Sequence, residues 1–568
     1  MFWLNVKQYI RTPAISLITV VYFLYLSYVI VQMPHENVPY TFIECMNQIK
    51  VTFIFFLFIS YEYFSKSQRC HIDEIISASG KRGKIVRLSG IYILLSLNLL
   101  ICTILFIASF WPASVSGTNA DTYFFFLIKV IFIHHFLVYL LAILIGFLVS
   151  YIKSRTMGYG VLMVSCWCFG YLLIAPLLSI SFERQILYRI ADLLSFMTRK
   201  FLSAPNVYYM YSVAAVDVQR ILFWIFLVAA IICVIMNREK KRWMSVVPGL
   251  AMLTCMFFFF QPVSSPGVDI IGGQDAWTYD DTYYIYSKKI DCKDVSKYDK
   301  AAFKVNKYSM NLKAGRELAA KVEVHIDQTD LQQFDFTLYH GYKIKSVEDD
   351  HGQNLTFYQK GDYVQVITGV HKVKKIIFFY EGYCKRYYSN SQGMFLPAYF
   401  EYYPVPGRRQ VYMDEYYYTG NTKEGLDYNV DFEVTVHGVP NLYSNLTKVN
   451  GRWCGNTDGV TLLASPFANE IKSGDSRLIY SSIQYSEREQ IELARLFQQF
   501  VQKYFHQGDH KMIMIPPEIN GYFDYYGSDH LMGDLSMLFA DYERFISEGE
   551  RYPFISEEEL MNELKQVE

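Results

Sequence analysis

The sequence lacks an excess of charge of either sign. Lysine and arginine total 53 and aspartate and glutamate total 54, which gives a formal net charge of −1 at neutral pH. A chain without a basic surplus offers no broad electrostatic surface to a phosphate backbone, so we predict no nucleic-acid partner. The apolar residues, at 52%, are unevenly placed: they form long runs up to about residue 263 and short alternating segments after it.

The chain also lacks a cysteine framework. Of its ten cysteines, only Cys292, Cys384 and Cys454 lie in the less apolar C-terminal half. Three widely spaced cysteines fit neither a set of paired disulfides nor the close spacing of zinc ligands. A single disulfide and three unpaired thiols are both compatible with the sequence.

Two sequence signals are absent. No Gly-x-x-x-x-Gly-Lys-Ser/Thr phosphate loop occurs, so we predict no nucleotide site and no cofactor in this chain. No small-residue cleavage site follows the first apolar run. Residues 1–13 are therefore predicted to form an interfacial amphipathic helix that leads into a retained membrane span.

The N-terminal half has many long apolar runs. A membrane-spanning helix needs about 20 mostly apolar residues. Seven segments qualify, at 14–33, 51–64, 89–111, 123–152, 159–180, 221–236 and 246–263. The chain is thus predicted to be a polytopic α-helical membrane protein with a six-span core and a seventh span.

Lysine and arginine in the loops predict the orientation. The loops at 66–87, 153–155 and 238–242 are basic, whereas 112–121 contains neither residue; the basic loop at 181–220 is the exception. Basic loops are retained in the cytoplasm, so we predict a cytoplasmic N-terminus and, after seven spans, an extracellular C-terminal domain. Six spans would place that domain inside the cell and would make 246–263 a buried soluble segment.

The loop after the second span contains a predicted short amphipathic helix. Ile72, Ile75 and Ile76 share one helical face, and Asp73 and Glu74 lie near its start, where negative charge suits the helix dipole. Such a helix can dock on a protein partner or lie on the lipid surface. The residues alone leave both interpretations open.

This loop resembles the coupling helix of the type-2 ABC exporter permeases. In that family an acidic and aliphatic core is followed by a turn and a basic residue before the next span. The same order occurs here in Asp73-Glu74-Ile75-Ile76, Ser79-Gly80 and Lys81-Arg82, although the family's frequent proline is absent. The resemblance implies that Asp73, Glu74, Ile75, Ile76, Lys81 and Arg82 couple the chain to an ATPase.

A second point of resemblance lies between residues 181 and 220. Members of the family often fold this segment as short re-entrant helices at the outer mouth. Here apolar residues recur at helical spacing and the run breaks at Ala204-Pro205-Asn206. The residues assigned to these outer helices are Ile186, Ile190, Leu193 and Leu194.

The resemblance covers residues 1–243, the predicted permease-like domain, and leaves the span at 244–263 outside the family pattern. It implies a second permease copy or a paralogue as a partner. It also implies cytoplasmic ABC ATPase domains on a separate chain, which would hold the ATP and Mg²⁺.

Polar residues in the fourth span are candidates for the lining of a transport path. Lys129 lies near the outer end, where its amine can extend to the interface, and His134 and His135 lie deeper. The competing interpretation, which the residues favour, is that each histidine hydrogen-bonds a neighbouring helix.

After a linker at 264–301, the pattern becomes that of strands. Val322, Val324 and Ile326 alternate with polar residues, and similar short segments recur up to about residue 464. We predict a mainly β extracellular domain at 302–480 and an α/β C-terminal segment at 481–568. The segment 528–530 has the residue types of a hydrolase triad, but neighbouring strand residues point to opposite faces, so we expect no catalytic set.

The order of the β segments resembles the N-terminal β domain of the zinc aminopeptidases that carry a His-Glu-x-x-His motif and a downstream glutamate. The matching pieces lie at 336–338, 344–347, 352–355, 378–382, 393–396, 402–404 and 432–440. Zinc chemistry in that family needs the complete motif. The only His-Glu pair here, His35-Glu36, is followed by Val38-Pro39 without a second histidine. The resemblance therefore implies a fold, and neither a metal site nor catalytic residues.

Together these features predict the permease subunit of an ATP-driven ABC exporter, which moves a peptide or another amphiphilic substrate and is not itself an enzyme. Low proline and abundant lysine, tyrosine and isoleucine favour a bacterial plasma membrane. The alternative is a membrane-anchored receptor or immunity protein for an extracellular peptide. A membrane peptidase is a third, weaker hypothesis, because the zinc motif is missing.

Overall fold

The computed structural model describes residues 2–33, 38–69, 81–115, 120–169, 190, 192–196, 208, 210, 213–236, 243–261, 284, 288, 299–327, 331–369, 373–384, 387–415, 418–421, 425–439, 441–485, 487–504, 512–516 and 523–533. Its N-terminal half is a bundle of apolar helices and its C-terminal half is mainly β, as the sequence predicts.

Nine α-helices and one π-helical stretch are described in the N-terminal half. The α-helices are Phe2–Ile10 (α1), Pro13–Gln32 (α2), Val38–Arg69 (α3), Lys81–Val115 (α4), Ala120–Val130 (α5), Leu137–Val149 (α6), Arg155–Phe169 (α7), Ala215–Met236 (α8) and Trp243–Phe259 (α9). The π-helical stretch, Ile131–Phe136, joins α5 to α6 without a break.

Within the described part of the chain, five stretches are long and apolar enough to cross a membrane. They are Pro13–Gln32, Val38–Lys66, Ser89–Ser114, Ala120–Val149 and Ala215–Met236. The predicted fifth span is described only over α7. The predicted seventh span coincides with α9, whose apolar part, Ser245–Phe259, is shorter than the other five.

The bundle exposes apolar side chains on its outer surface. In α2, Ile15, Tyr22 and Leu26 are buried, whereas Leu17 and Leu24 are each 66% exposed. Water disfavours an extended apolar face of this kind and a hydrocarbon phase accepts it. The distribution therefore suits a helix with one side on protein and the other on lipid.

Close packing of α3 against α6 forms the centre of the bundle. Ser60 Oγ donates a hydrogen bond to the carbonyl of Ile143 at 2.7 Å. A Cβ at Gly146 would lie 2.7 Å from the carbonyl oxygen of Leu57, so glycine is required for this approach. Small residues at such contacts let the backbones of apolar helices come together.

The C-terminal half contains 22 described strands. They are β1 Val305–Ala314, β2 Leu318–Ile326, β3 Gln333–Thr337, β4 Tyr342–Glu348, β5 Thr356–Lys360, β6 Tyr363–Ile367, β7 Lys375–Gly382, β8 Ser389–Asn390, β9 Gly393–Leu396, β10 Val405–Pro406, β11 Tyr412–Glu415, β12 Tyr418–Asn421, β13 Val430–His437, β14 Leu442–Ser444, β15 Thr447–Val449, β16 Arg452–Thr457, β17 Leu462–Ala464, β18 Ala468–Ser473, β19 Ser476–Ser481, β20 Met512–Met514, β21 Phe523–Tyr526 and β22 His530–Gly533.

The largest sheet has seven strands in the order β15-β16-β13-β1-β2-β7-β4. Two four-stranded sheets, β10-β3-β6-β5 and β14-β17-β9-β8, and the β11-β12 hairpin complete the β domain. Along β2 every second residue is buried, including the predicted Val322, Val324 and Ile326. This alternation is the period of two that places one strand face on a core.

Two tyrosines in the core of the β domain donate their hydroxyl groups to backbone carbonyls. Tyr308, on β1, stacks on Phe432 of the neighbouring β13 with ring centroids 5.1 Å apart, and its hydroxyl donates to the Pro404 carbonyl at 2.9 Å. Tyr380 donates in the same way to the Tyr402 carbonyl at 2.6 Å. A buried hydroxyl that has a partner avoids the cost of desolvation.

The C-terminal segment joins the β domain through a shared sheet. Its five strands run in the order β18-β19-β20-β22-β21. One helix, Glu487–Tyr504 (α10), packs on this sheet through Leu493, Phe497 and Phe500. Because β19 pairs directly with β20, the predicted segments 302–480 and 481–568 share one sheet.

Among the cysteines that the structure describes in this half, Cys384 is buried and accepts a hydrogen bond from the Tyr387 backbone N–H, and Cys454 lies on β16. No disulfide joins these two residues. Cys292 lies outside the described residues.

Candidate functional site

The predicted coupling helix falls mostly outside the described part of the chain. Asp73, Glu74, Ile75 and Ile76 are not described, and Lys81 and Arg82 are described only as backbone in the first turn of α4. Their proposed contact with an ATPase remains a prediction.

Polar contacts hold together the end of the bundle that lies next to the predicted coupling helix. We call it the basic end because Lys66 and Arg155 lie there. The Tyr159 hydroxyl donates to the Glu62 carboxylate, and Arg155 Nη2 donates to the Tyr159 hydroxyl at 3.1 Å. Lys66 Nζ donates to Thr12 Oγ1 at 2.8 Å. These bonds tie α3 to α7 and to the junction between α1 and α2.

The predicted path residues separate into two environments. His134 and His135 are buried in the π-helical stretch, and His135 Nδ1 lies 2.8 Å from the Tyr139 hydroxyl. Lys129 is exposed on the surface of α5 and does not join them. The structure therefore gives His135 a hydrogen-bond partner one turn along the same helix rather than on a neighbouring helix.

The π-helical stretch has its own support from α4. Asn98 Nδ2 donates to the Phe136 carbonyl at 3.0 Å, and Cys102 Sγ lies 3.3 Å from Asn98 Oδ1. A π turn displaces carbonyls from the regular helical ladder, and a neighbouring amide can satisfy one of them. Asn98 was missed at the sequence level because only the third dimension brings it to this carbonyl.

The predicted outer helices are described in part, at 190 and 192–196. Leu193 is buried, Ile190 and Leu194 are exposed, and Ile186 lies outside the described residues. The short helical segment at 192–194 packs against the first half of α8, where Trp224 Nε1 donates to the Leu193 carbonyl at 2.8 Å.

Phe196 carries this segment into the bundle. Its ring lies 4.6 Å from that of Trp224 on α8 and 6.1 Å from that of Phe53 on α3. Phe196 is buried and belongs to the apolar core of the bundle. The segment thus enters between two long helices rather than resting on their ends.

A buried ion cluster fixes the same segment. Arg220 on α8 contacts Asp192 at 3.0 Å through Nη1 and Asp217 at 2.9 Å through Nη2. Asp217 also accepts the Ala214 backbone N–H at 2.9 Å. The Arg220 and Asp217 side chains are each only 4% exposed, so the two carboxylates and the guanidinium depend on one another.

The β domain contacts the bundle at the end opposite the basic end. Phe467, which is fully buried, packs edge-on against Phe126 of α5 with ring centroids 5.2 Å apart. The Tyr208 hydroxyl donates to the Ile515 carbonyl at 2.5 Å, and Ser465 Oγ donates to the Tyr208 carbonyl at 2.7 Å. We call this contact the dock.

The edges of the dock involve the segment before α8 and the end of α9. Gln392 donates to the Val213 carbonyl. Arg316 Nη2 donates to the Phe258 carbonyl at 2.9 Å. The dock was missed at the sequence level, because its partners lie far apart along the chain and carry no motif.

The expectation that Asp529 and His530 point apart is wrong. His530 begins β22 whereas Asp529 precedes the strand, and Asp529 Oδ1 lies 2.7 Å from His530 Nδ1. The opposite ring atom, Nε2, lies 2.8 Å from Thr461 Oγ1. Ser528 instead donates to Asp458.

This Thr461–His530–Asp529 chain is closed to solvent. Thr461 and His530 are fully buried, and Asp529 also accepts hydrogen bonds from Asn445 and Thr457. A nucleophile needs access to its substrate. The arrangement fastens the C-terminal strands to the β domain and offers no open catalytic hydroxyl.

Among the described residues, no group of three histidine, cysteine, aspartate or glutamate side chains is placed to hold a metal ion. The one His-Glu pair of the sequence, at 35–36, lies outside them.

No protein-family model matches the sequence. The comparison with curated proteins likewise finds no match.

Solved structures similar to this chain are zinc metallopeptidases and related enzymes. The M1 zinc metallopeptidase of Deinococcus radiodurans is 13% identical with a TM-score of 0.29, over 42% of this chain and 63% of that one. Yeast LTA4 hydrolase bound to bestatin is 8% identical with a TM-score of 0.31, over 46% of each chain.

Aminopeptidase A of Legionella pneumophila is 10% identical with a TM-score of 0.31, over 42% of this chain and 32% of that one. The chain therefore spans less than two thirds of the length of these enzymes. At such identities and TM-scores the likeness supports no assignment of activity.

Proposed function

We propose that this chain is the membrane subunit of an ATP-driven exporter, with the β domain outside the cell and ATP hydrolysis on a separate chain. In this proposal the chain itself catalyses no reaction. The substrate is a peptide or another amphiphilic molecule, and a second permease chain completes the transport path.

The observation that carries the proposal is the position of the dock relative to the basic residues. Phe126 and Phe467 meet where α5 begins, whereas Lys66 and Arg155 lie at the opposite end of the bundle. Positively charged ends of apolar helices are retained in the cytoplasm. This polarity supports a cytoplasmic coupling loop and an extracellular β domain.

The entry of Phe196 into the bundle gives a second line of support. A short segment turns into the bundle beside α8 and is held there by Arg220, and this arrangement is compatible with the outer helices expected of a type-2 permease. Irregular backbone at the rim of an apolar bundle is tolerated where protein side chains cover it, as Phe53 and Trp224 do here.

The test is purification of the chain from its native membrane in mild detergent, with ATP hydrolysis measured in the eluate. We expect an ATPase to co-elute with the wild-type chain and to be lost with Ile75→Asp or Glu74→Arg, which remove the apolar face or reverse the charge of the predicted coupling helix.

Asp475→Arg is the matched control, because it makes the same kind of charge reversal at an exposed turn of the β domain. The control must retain the ATPase. An intact, folded wild-type chain that elutes without any ATPase contradicts the exporter proposal.

A receptor or immunity protein is the second candidate. The observation in its favour is the continuous route from Phe467 through Phe126 on α5 into the π-helical stretch and α6, which could relay a change in the β domain across the bundle. Absence of an ATPase together with capture of a different cytoplasmic partner would favour this function.

A further inference from the structure

A slot for an aromatic ring lies on the β domain. The ring of Tyr284, a residue of the predicted linker, stacks on the imidazole of His340 with centroids 3.5 Å apart and planes 4° apart. Tyr412 borders the same space, with its ring centroid 6.2 Å from that of Tyr284. Tyr284 is half-buried.

The β domain builds the walls of this slot. His340 follows β3, and its backbone N–H donates to Asp362 Oδ1 at 2.7 Å. His340 Nδ1 lies 3.0 Å from the same oxygen and 3.0 Å from the Tyr412 hydroxyl. The Asp362 side chain is 6% exposed and that of His340 is 13% exposed, so both are held in place by their own contacts.

The floor of the slot is specific for a hydroxyl group. Gly361 has a φ of +63°, and a Cβ there would lie 2.2 Å from the Tyr284 hydroxyl oxygen. The carboxylate and the backbone N–H of Asp362 are the hydrogen-bond partners of that hydroxyl. Burial and then the Asp362 charge raise the pKa of Tyr284, so the phenol stays protonated and donates to the carboxylate.

We propose that this slot is a binding site for a tyrosyl side chain of a peptide, and that Tyr284 is the intramolecular occupant that such a side chain displaces. Tyr284 lies before the β domain in the chain. Further along the chain, Asp299 forms a β-bridge with Arg408. Because His340, Asp362 and Tyr412 hold one another, their geometry persists when the ring of Tyr284 leaves.

The chemistry of the slot selects tyrosine over phenylalanine. A phenylalanine ring would stack equally well on His340, but it would leave the buried Asp362 carboxylate without the phenol donor. A site built around a hydroxyl discriminates strongly against the analogue that lacks it. The proposal concerns the β domain alone and holds whether the chain exports a peptide or senses one.

The experiment measures binding of N-acetyl-tyrosinamide to the full-length chain in detergent by equilibrium dialysis. Tyr284→Ala empties the slot, so we expect one equivalent to bind at least tenfold more tightly than to wild type, in which Tyr284 competes. N-acetyl-phenylalaninamide should bind Tyr284→Ala at least tenfold more weakly. Adding Asp362→Asn should reduce the preference for tyrosine, because a neutral amide oxygen is a weaker acceptor than a carboxylate.

Tyr358→Ala is the matched control, because Tyr358 lies on β5 of the same domain and is 60% exposed. It should bind no more ligand than wild type. The proposal is overturned if Tyr284→Ala elutes as a folded chain with an unchanged melting temperature and binds no better than wild type. Equal binding of the two amides to Tyr284→Ala would also overturn it. Loss of the co-eluting ATPase is a separate measurement, so the two proposals can fail independently.

Discussion

At the scale of single residues, the clearest departure from ordinary behaviour is Glu401 of the β domain. Its side chain is buried, and Oε2 has no hydrogen-bond partner among the described residues. Burial raises the pKa of Glu401 from 4.5 to about 8, with the Asp362 charge adding to this and Arg409 opposing it. The carboxyl group is therefore protonated in the folded chain at neutral pH.

This shift predicts a specific pH dependence of stability. Between pH 4.5 and about 8 the folded chain keeps a proton that the unfolded chain has released. The free energy of unfolding therefore falls as the pH rises through this window, by up to about 1.4 kcal/mol per pH unit. Glu401→Gln removes this contribution, so its melting temperature should match wild type near pH 5 and exceed it near pH 8.

Melting curves from pH 5 to 9 check the prediction, with Asp350→Asn, at an exposed turn, as the control. The control should follow the wild-type curve throughout. If the melting temperatures of wild type and Glu401→Gln differ by the same amount at every pH, Glu401 is ionised in the folded chain and the prediction is wrong.

At the scale of elements, Arg220 joins a short segment to a long helix. Arg220→Met removes the guanidinium that contacts the carboxylates of both Asp192 and Asp217. Breaking a buried ion cluster in this way costs about 3–5 kcal/mol. We expect a marked fall in melting temperature and partial recovery in Arg220→Met/Asp192→Asn, which removes one of the two charges.

Arg155→Met is the comparison for that experiment. Arg155 pairs with Glu62 at 3.6 Å, but its side chain is 62% exposed. An exposed pair contributes below about 1 kcal/mol. If Arg220→Met lowers the melting temperature no more than Arg155→Met does, the buried cluster does not hold the segment.

Elements were predictable where their signal is local. The strand β2 follows from alternation at 322–326, and α2 follows from the apolar run predicted at 14–33. The π-helical stretch was not predictable, because the sequence around His134 reads as an ordinary apolar helix and the Asn98 contact depends on packing. Asp529 was misjudged because strand geometry was applied one residue before β22 begins.

Candidate site residues were harder to predict than elements. His135 could be named from the sequence as a polar residue in an apolar run. Its contact with Tyr139 is local, but the role of Arg220 depends on Asp192, which lies 28 positions away in a segment with no motif. The same holds for the slot at His340, whose partners come from three separate parts of the chain.

At the scale of the whole molecule, the dock couples the bundle to the β domain, and this coupling determines whether the two unfold together. Phe467 belongs to the apolar core of the bundle although it lies between β17 and β18 of the other half. Phe467→Ala removes its contacts with Tyr123 and Phe126, at a cost of about 3–5 kcal/mol. Among the described residues, the remaining dock contacts then join the two halves.

We therefore expect Phe467→Ala to split a single calorimetric transition into two, one for the bundle and one for the β domain. Phe334→Ala is the matched control, because Phe334 is equally buried but lies in the core of the β domain on β3. It should lower the stability of the β domain without separating the transitions. If Phe467→Ala melts in one transition at the wild-type temperature, the dock does not couple the halves, and a relay from the β domain to the π-helical stretch loses its physical basis.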